Sequence, residues 1–379
     1  MENIILRART LRHLLHVYPE LSGNEAHTAM IIRECMSAYH PDEVIENIGG
    51  NGIAFIYSGK TKGKTLLFRA DTDALPIEEN GRMLYASRNK SISHLCGHDG
   101  HMAILAGLGD RLSSRPLEKG TVILLFQPAE ETGEGAEAVL RDRRISKYKP
   151  DFVFALHNLP GFPKGNIIIK SGVFASASKG LIIHLKGLPA HAAYPENGIS
   201  PARVLAGLIS ALPELQHQDI YTGLVMLTLV HARLGKPAFG VSPSDALLMA
   251  TLRSFEPADM EILTAGILEI VQKLCLLNDI RFTVEWTEEF IPTINDMDAV
   301  SIIERAAKNC DYPVINPGLP FRWSEDFGKY TAKFKGAMFG LGAGEVHKSL
   351  HNPDYDFPDD LIENGITMFY QIIQQFTTD

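Results

Sequence analysis

The segment LCGHDGH at residues 95–101 sets Cys96, His98, Asp99 and His101 almost side by side. Hydrophobic packing has no use for a thiol, two imidazoles and a carboxylate in one short stretch, but a borderline-soft cation does. The cluster also constrains the fold, because further oxygen and nitrogen donors recur where apolar runs end. They are Asp71 and Asp73 in FRADTDALP, Glu130 and Glu131 in FQPAEE, His157 in FALHNLP and His351 in SLHNPDYDF.

The runs themselves predict the architecture. Residues 65–70 (TLLFRA), 121–127 (TVILLFQ) and 152–156 (FVFAL) are nearly continuous apolar stretches, the pattern of strands buried on both faces. Between the first two, residues 102–112 carry apolar side chains at helical spacing. This is α/β patterning with a mostly parallel or mixed sheet. In such sheets sites form outside the carboxyl ends of the strands, so three separate runs point to one place.

The middle of the chain reads differently. Strand-like residues 180–186, 224–231, 246–253 and 281–286 alternate with helix-like 201–215 and 260–276 in the order βαββαβ. That order predicts a ferredoxin-like unit, and few metal-type residues fall in it. The expected organisation is two domains: a mixed-sheet catalytic domain from residues 1–176 and 292–379, interrupted by an inserted ferredoxin-like domain at 177–291. A short strand at 337–341, a Gly-rich loop bearing His347 and His351, and a closing helix with Ile362, Ile366, Phe369, Ile373 and Phe376 on one stripe complete the chain.

A length of 379 residues also favours two domains. A net charge of −9 without a basic stripe argues against nucleic acid or an anionic membrane as partner. The opening MENIILRARTLRHLL reads as an amphipathic helix rather than a signal peptide, and no apolar run is long enough to span a bilayer. Cys35, Cys96, Cys275 and Cys310 are scattered without a disulfide-like framework, which fits a reducing compartment; the expected location is the cytoplasm.

The donors assemble a chemistry. Cys96 and His98, two apart, can face one point from an extended or turning loop, while His101 and His94 read as structural. Glu130 and Glu131 are adjacent and point in different directions. One can bind a metal while the other faces a reactive water, which is the division metal-assisted hydrolysis needs. Asp356 is placed to orient His351 as a hydrogen-bond acceptor. His191 in GLPAHAAYP has no role that local sequence assigns; Arg253 is of the type that pairs with a substrate carboxylate, with an exposed strand arginine as the alternative.

FRADTDALPIEE, HLCGHDGHMA, FQPAEETGEGA, ALHNLP, LPAHAAYP, SEDFG and LHNPDYDF occur in this order, preceded by HVYPELSGNE. Together they resemble the zinc-type aminoacylase and carboxypeptidase superfamily of metallopeptidases. Within it the chain is similar to the amidohydrolase branch of hippurate hydrolase, indole-acetyl-amino-acid hydrolases and N-acetyl-amino-acid deacetylases. The resemblance implies two divalent metal ions, zinc by default, with manganese, cobalt or nickel as alternatives. It implies Cys96 as the bridge, His98 and His157 on one ion, and Glu131 and His351 on the other. Glu130 would be the general base acting on a metal-bridging water, and Asp73 would support the ligands. Asp71 stands where the wider superfamily has a metal-binding histidine, a role that passes here to His98. The inserted domain would act as a lid and form a homodimer, with His191 supporting the oxyanion in the neighbouring subunit's site. Arg253 would bind the substrate carboxylate.

The implied reaction is hydrolysis of an N-acyl or N-aryl-acyl amino acid to a carboxylate and a free amino acid. A dipeptidase or carboxypeptidase of the same superfamily, and a catalytically silent metal-binding homologue, are the alternatives. One departure bears on substrate: where the branch has an Asn-Val-Ile-Pro-like segment, this chain has Gly240, Val241, Ser242 and Pro243, without the asparagine side chain.

Overall fold

The computed structural model describes residues 1–81, 83–217 and 219–377. The chain divides into two compact units. One comprises Met1–Phe174, Thr293–Leu319 and Glu325–Asp379, the other Ala175–Pro292 and Pro320–Ser324.

The larger unit is built on an eight-stranded mixed sheet. Its strands lie in the order Glu43–Ile48, Gly52–Ser58, Lys119–Gln127, Thr61–Asp71, Phe152–Pro160, Gly336–Gly344, Ile167–Ile168 and Val314–Ile315. The central four run parallel, Thr61–Asp71 pairing with both Lys119–Gln127 and Phe152–Pro160, and Phe152–Pro160 with Gly336–Gly344. Their carboxyl ends therefore share one edge, and the donors sit there. Strand Phe152–Pro160 runs further than the apolar run suggests, so His157 lies within it, in register with Gly340.

Helix His98–Ser114 explains how the first histidines are held. Nearly all of it is buried, as expected for a helix apolar on every side. Two glycines let its neighbours approach: a Cβ at Gly107 would lie 2.3 Å from Ile366 Cδ1, and one at Gly109 2.6 Å from Met36 Cε. The helix begins earlier than its apolar spacing indicates, so His98 and His101 both ride on its first turn rather than on a loop. Glu2–Val17 and Leu361–Thr377 pack against it. The closing helix buries Ile362, Ile366, Phe369 and Ile373 in the same core.

In the smaller unit the element order is strand Ala177–Lys186, helix Ala202–Ala211, strands Val225–Leu234 and Asp245–Ser254, helix Pro257–Leu277 and strand Arg281–Phe290. The strands form an antiparallel sheet in which Ala177–Lys186 lies between Asp245–Ser254 and Arg281–Phe290, and Val225–Leu234 takes the outer edge. This is the ferredoxin-like arrangement. Leu181, Ile183 and Leu185 alternate with more exposed Ile182, His184 and Lys186, so one face is covered and carries the core. The first helix stops at Ala211 and continues as a 3₁₀ segment, Leu212–His217. Pro213 has no N–H to extend an α-helix, which is why the expected helix over 201–215 is shorter. Among the described residues no helix is long and apolar enough to cross a membrane.

Candidate metal centre

Gly97 sets the geometry at the start of the buried helix. Its φ is +91°, and a Cβ there would meet Asn158 Oδ1 at 2.4 Å, so only glycine lets the chain turn tightly from Cys96 into His98. Cys96 then faces His157, with Sγ 3.6 Å from Nε2. Two groups of ligand-type atoms share this sulfur: Cys96 with His98 and His157, and Cys96 with Glu131 and His351, all within 4.8 Å of one another in each group. A third joins His98 to Glu130 and Glu131.

The imidazoles are oriented as ligands. His98 Nδ1 donates to the Asp73 carbonyl oxygen at 2.8 Å, and His157 Nδ1 to the Asn158 carbonyl oxygen at 2.9 Å. Each bond leaves the Nε2 lone pair pointing at the cluster. His98 Nε2 and Glu131 Oε1 are buried, 3.8 Å apart, and neither has a hydrogen-bond partner among the described residues. His351 Nε2 also lies 3.8 Å from that oxygen. Unpaired buried polar atoms are costly, and here a nitrogen and an oxygen converge with a thiol and further imidazoles. This donor set fits two divalent cations.

Burial, then the charge of Glu131, pushes the Cys96 thiol up to about 12, an offset that a cation reverses by favouring the thiolate. Burial also lifts Glu131 to about 7. Glu130 is held well above the usual carboxylate range by burial and by Glu325 and Glu131.

The surrounding residues hold these in place. Asp73 Oδ2 accepts from the Glu131 N–H at 2.9 Å and from Ser22 Oγ at 2.6 Å. Asp71 accepts from Arg69 Nη1 and contacts His101 Nδ1, each at 2.7 Å; His101 Nε2 meets Asn158 Oδ1 at 2.6 Å. Both nitrogens of His101 are therefore engaged in structure. His94 is buried with neither ring nitrogen partnered among the described residues, and burial takes its pKa down to about 3, so it stays neutral.

One expectation fails. Asp356 does not orient His351; its carboxylate is held by the buried Arg12 guanidinium and by Tyr85 Oη. His351 is fixed instead through its backbone, its N–H donating to the Leu95 carbonyl at 2.8 Å, with φ at +65°. Arg69, Glu325 and Asp326 have no role in the sequence reading, yet they border Glu130. The arginine within the apolar FRAD run is the signal that marks them, since a cation in a strand buried on both faces must have anionic partners.

Cys96, His98, Glu130, Glu131, His157, His351 and Asp73 thus come together in the larger unit. His191 and Arg253 belong to the other. His191 lies on a two-residue strand, Ala190–His191, paired with Val241–Ser242. Its Nδ1 accepts from the Ala193 N–H at 3.0 Å, which leaves the hydrogen of the neutral ring on Nε2. Arg253 Nη1 donates to the Arg322 carbonyl and to Ser324 Oγ, both at 2.9 Å.

Comparison with known proteins shows which family the chain belongs to. The chain is 30% identical over 362 residues to the N-acetyl-L-cysteine deacetylase of Bacillus subtilis (strain 168), covering 95% of this chain and 86% of that one. It is 27% identical over 372 residues to the hippurate hydrolase of Campylobacter jejuni, covering 97% and 95%. Its fold matches a dinuclear metal binding peptidase from M20 family of Bacillus subtilis with a TM-score of 0.83 at 24% identity, covering 98% of this chain and 97% of that one. The profile of one family matches residues 67–375, most of the sequence. The chain belongs to Peptidase family M20/M25/M40.

Proposed function

We propose that this metal-dependent amidohydrolase cleaves the amide bond of N-acyl-α-amino acids, releasing a carboxylate and a free amino acid. The observation that carries the proposal is Cys96 shared by two ligand groups with Glu130 beside them. The relatives named for deacetylation of N-acetyl-L-cysteine and for hydrolysis of hippurate support the same substrate class.

In this reading two cations would be held by Cys96, shared between them, with His98 and His157 as donors to one and Glu131 and His351 as donors to the other. Bound there, the cations contribute Lewis acidity, which lowers the pKa of water and polarises an amide carbonyl. Zinc is proposed because thiolate and imidazole donors suit it. Glu130 takes the proton of the attacking water as its oxygen bonds to the carbonyl carbon. It then passes that proton to the amine nitrogen as the C–N bond breaks. Asp73 holds the backbone of Glu131 and the ring of His98. His191 donates from Nε2 to the tetrahedral oxyanion, reaching the site of the partner subunit in a homodimer formed through the inserted domain, residues 177–291. Residues 1–176 and 292–379 make the catalytic domain. Arg253 pairs with the substrate carboxylate, without the amide that Gly240 lacks. The scattered free cysteines favour a cytoplasmic location.

A turnover screen tests the proposal. Protein reconstituted separately with zinc, manganese, cobalt and nickel is offered N-acetyl-amino acids, N-aryl-acyl-amino acids and dipeptides. The expected result is hydrolysis of acyl-amino acids well above that of dipeptides. Faster turnover of dipeptides would make it a dipeptidase, and metal binding with no turnover of any substrate would make it a silent homologue.

A further inference from the structure

The HVYPELSGNE motif lies far in sequence from every proposed ligand, and nothing in the reaction as described uses it. In the structure it reaches the turn that carries the two glutamates. Glu25 is fully buried, at 0% exposure. Its Oε1 accepts from the Gly23 N–H at 2.8 Å and from the Ala129 N–H at 2.9 Å, and its Oε2 from Asn51 Nδ2 at 3.1 Å. Among the described residues no lysine or arginine pairs with it. A buried carboxylate held only by neutral donors is costly, so what it holds has to be worth holding.

Helix capping is not its task. Glu25 occupies the N-cap of helix Ala26–Ser37 but makes no side-chain cap bond. The free N–H at Thr28 is satisfied instead by Glu20 Oε2, at 2.8 Å. Glu25 turns away from its own helix and crosses to Ala129, the residue before Glu130. Ala129 has φ +54°, the left-handed region that a residue with a Cβ rarely adopts and keeps only where its surroundings enforce it. On the other side of Glu130, the Glu131 N–H is held by Asp73, which Ser22 of the same motif holds in turn. Behind the turn, the Gly135 N–H donates to the Ala129 carbonyl at 3.0 Å.

We infer that Glu25 is a positioning residue for Glu130. It enforces the left-handed backbone at Ala129 that aims the Glu130 carboxylate, while Ser22 and Asp73 secure the following residue. The inference rests on Glu130 being the proton carrier.

The test uses the metal-loaded full chain and three variants: Glu25→Ala, Glu25→Asp and Glu25→Gln. Three readouts are taken well below the melting temperature: kcat and KM on the best N-acyl-amino acid, bound metal per chain, and amide hydrogen exchange over residues 126–134. Removing the acceptor (Ala) or shortening it (Asp) should lower kcat about 10-fold or more. KM and metal content should stay near wild type, and exchange over 126–134 should accelerate. Glu25→Gln keeps an oxygen for the Ala129 N–H and should restore kcat to within a few-fold and exchange to near wild type. Unchanged kcat and exchange in the Ala and Asp variants would overturn the inference. So would a lower melting temperature with kcat intact, or failure of all three variants to fold, since either assigns Glu25 to general stability. If the wild-type enzyme hydrolyses no acyl-amino acid, the proposed reaction fails by itself, and exchange over 126–134 still decides whether Glu25 holds the turn.

Discussion

Arg69 Nη2 donates to Asp326 Oδ1 at 2.7 Å, a pair with no solvent exposure between residues 257 positions apart. The same guanidinium bonds Asp71, Gln127 and Glu325. Asp326 in turn accepts from Gln127 Nε2 and from the Ala136 N–H, so one cation joins the strand ending at Asp71 to both ends of the Glu130 turn. Arg69→Met would leave three buried carboxylates without their cation. Breaking such a pair from one side costs about 3–5 kcal/mol. Urea unfolding should show a loss of that order, and a change below about 1 kcal/mol would mean the carboxylates are neutralised in another way.

Cys96→Ala tests the bridging assignment. The variant should fold, lose most of its bound metal and lose nearly all turnover. Elemental analysis returning the wild-type metal content would remove Cys96 from the ligand set.

Glu130 and Glu131 are expected to separate by phenotype. Glu130→Gln should retain both cations and lose roughly 10²-fold or more in kcat, the usual scale for a general base. Glu131→Gln should lose metal. An exchange of the two phenotypes would exchange the roles.

His16 predicts a pH dependence of stability. Its ring is fully buried, with Nδ1 2.8 Å from Asp99 Oδ2 and Nε2 3.0 Å from Glu79 Oε2. Burial favours the neutral ring, but Asp99 outweighs it and raises the pKa to about 9. A folded-state pKa above the unfolded value of about 6.5 means the stabilisation is fully present below pH ~6.5 and is lost as pH rises through about 9. Its size is on the order of 3 kcal/mol. Between pH 6 and pH 9.5 the wild type should lose about that much more unfolding free energy than His16→Gln. Parallel losses in the two proteins would exclude His16 as the group responsible.

Subunit mixing tests His191. Glu130→Ala and His191→Ala should each be inactive as homodimers. If His191 acts on the partner's site, exchanged subunits contain one site with both residues intact, and activity returns towards one working site per mixed dimer. Confirmed exchange with no regained turnover would rule out action of His191 on the partner's site.

The sequence by itself determined where the chemistry gathers. Central parallel strands are buried on both faces and so appear as uninterrupted apolar runs, and their carboxyl ends share an edge. Asp71, Glu130 and His157 could therefore be brought to one place from three separate segments. The βαββαβ order of the smaller unit was legible for a similar reason, since period-2 and helical spacing alternate along it. Only the tertiary structure decided which polar side chains meet. Asp356 and His351 are neighbours in one loop, yet Asp356 is taken by Arg12 from the first helix. Glu25 stands at a helix start, where a cap would be the local expectation, and reaches Ala129 instead. Arg69 finds Asp326 from the other end of the chain. Apolar burial repeats with the period of its element and can be read from spacing. A hydrogen bond or ion pair depends on where one side chain's few atoms point after loops and distant segments have packed, and no period in the sequence records that direction.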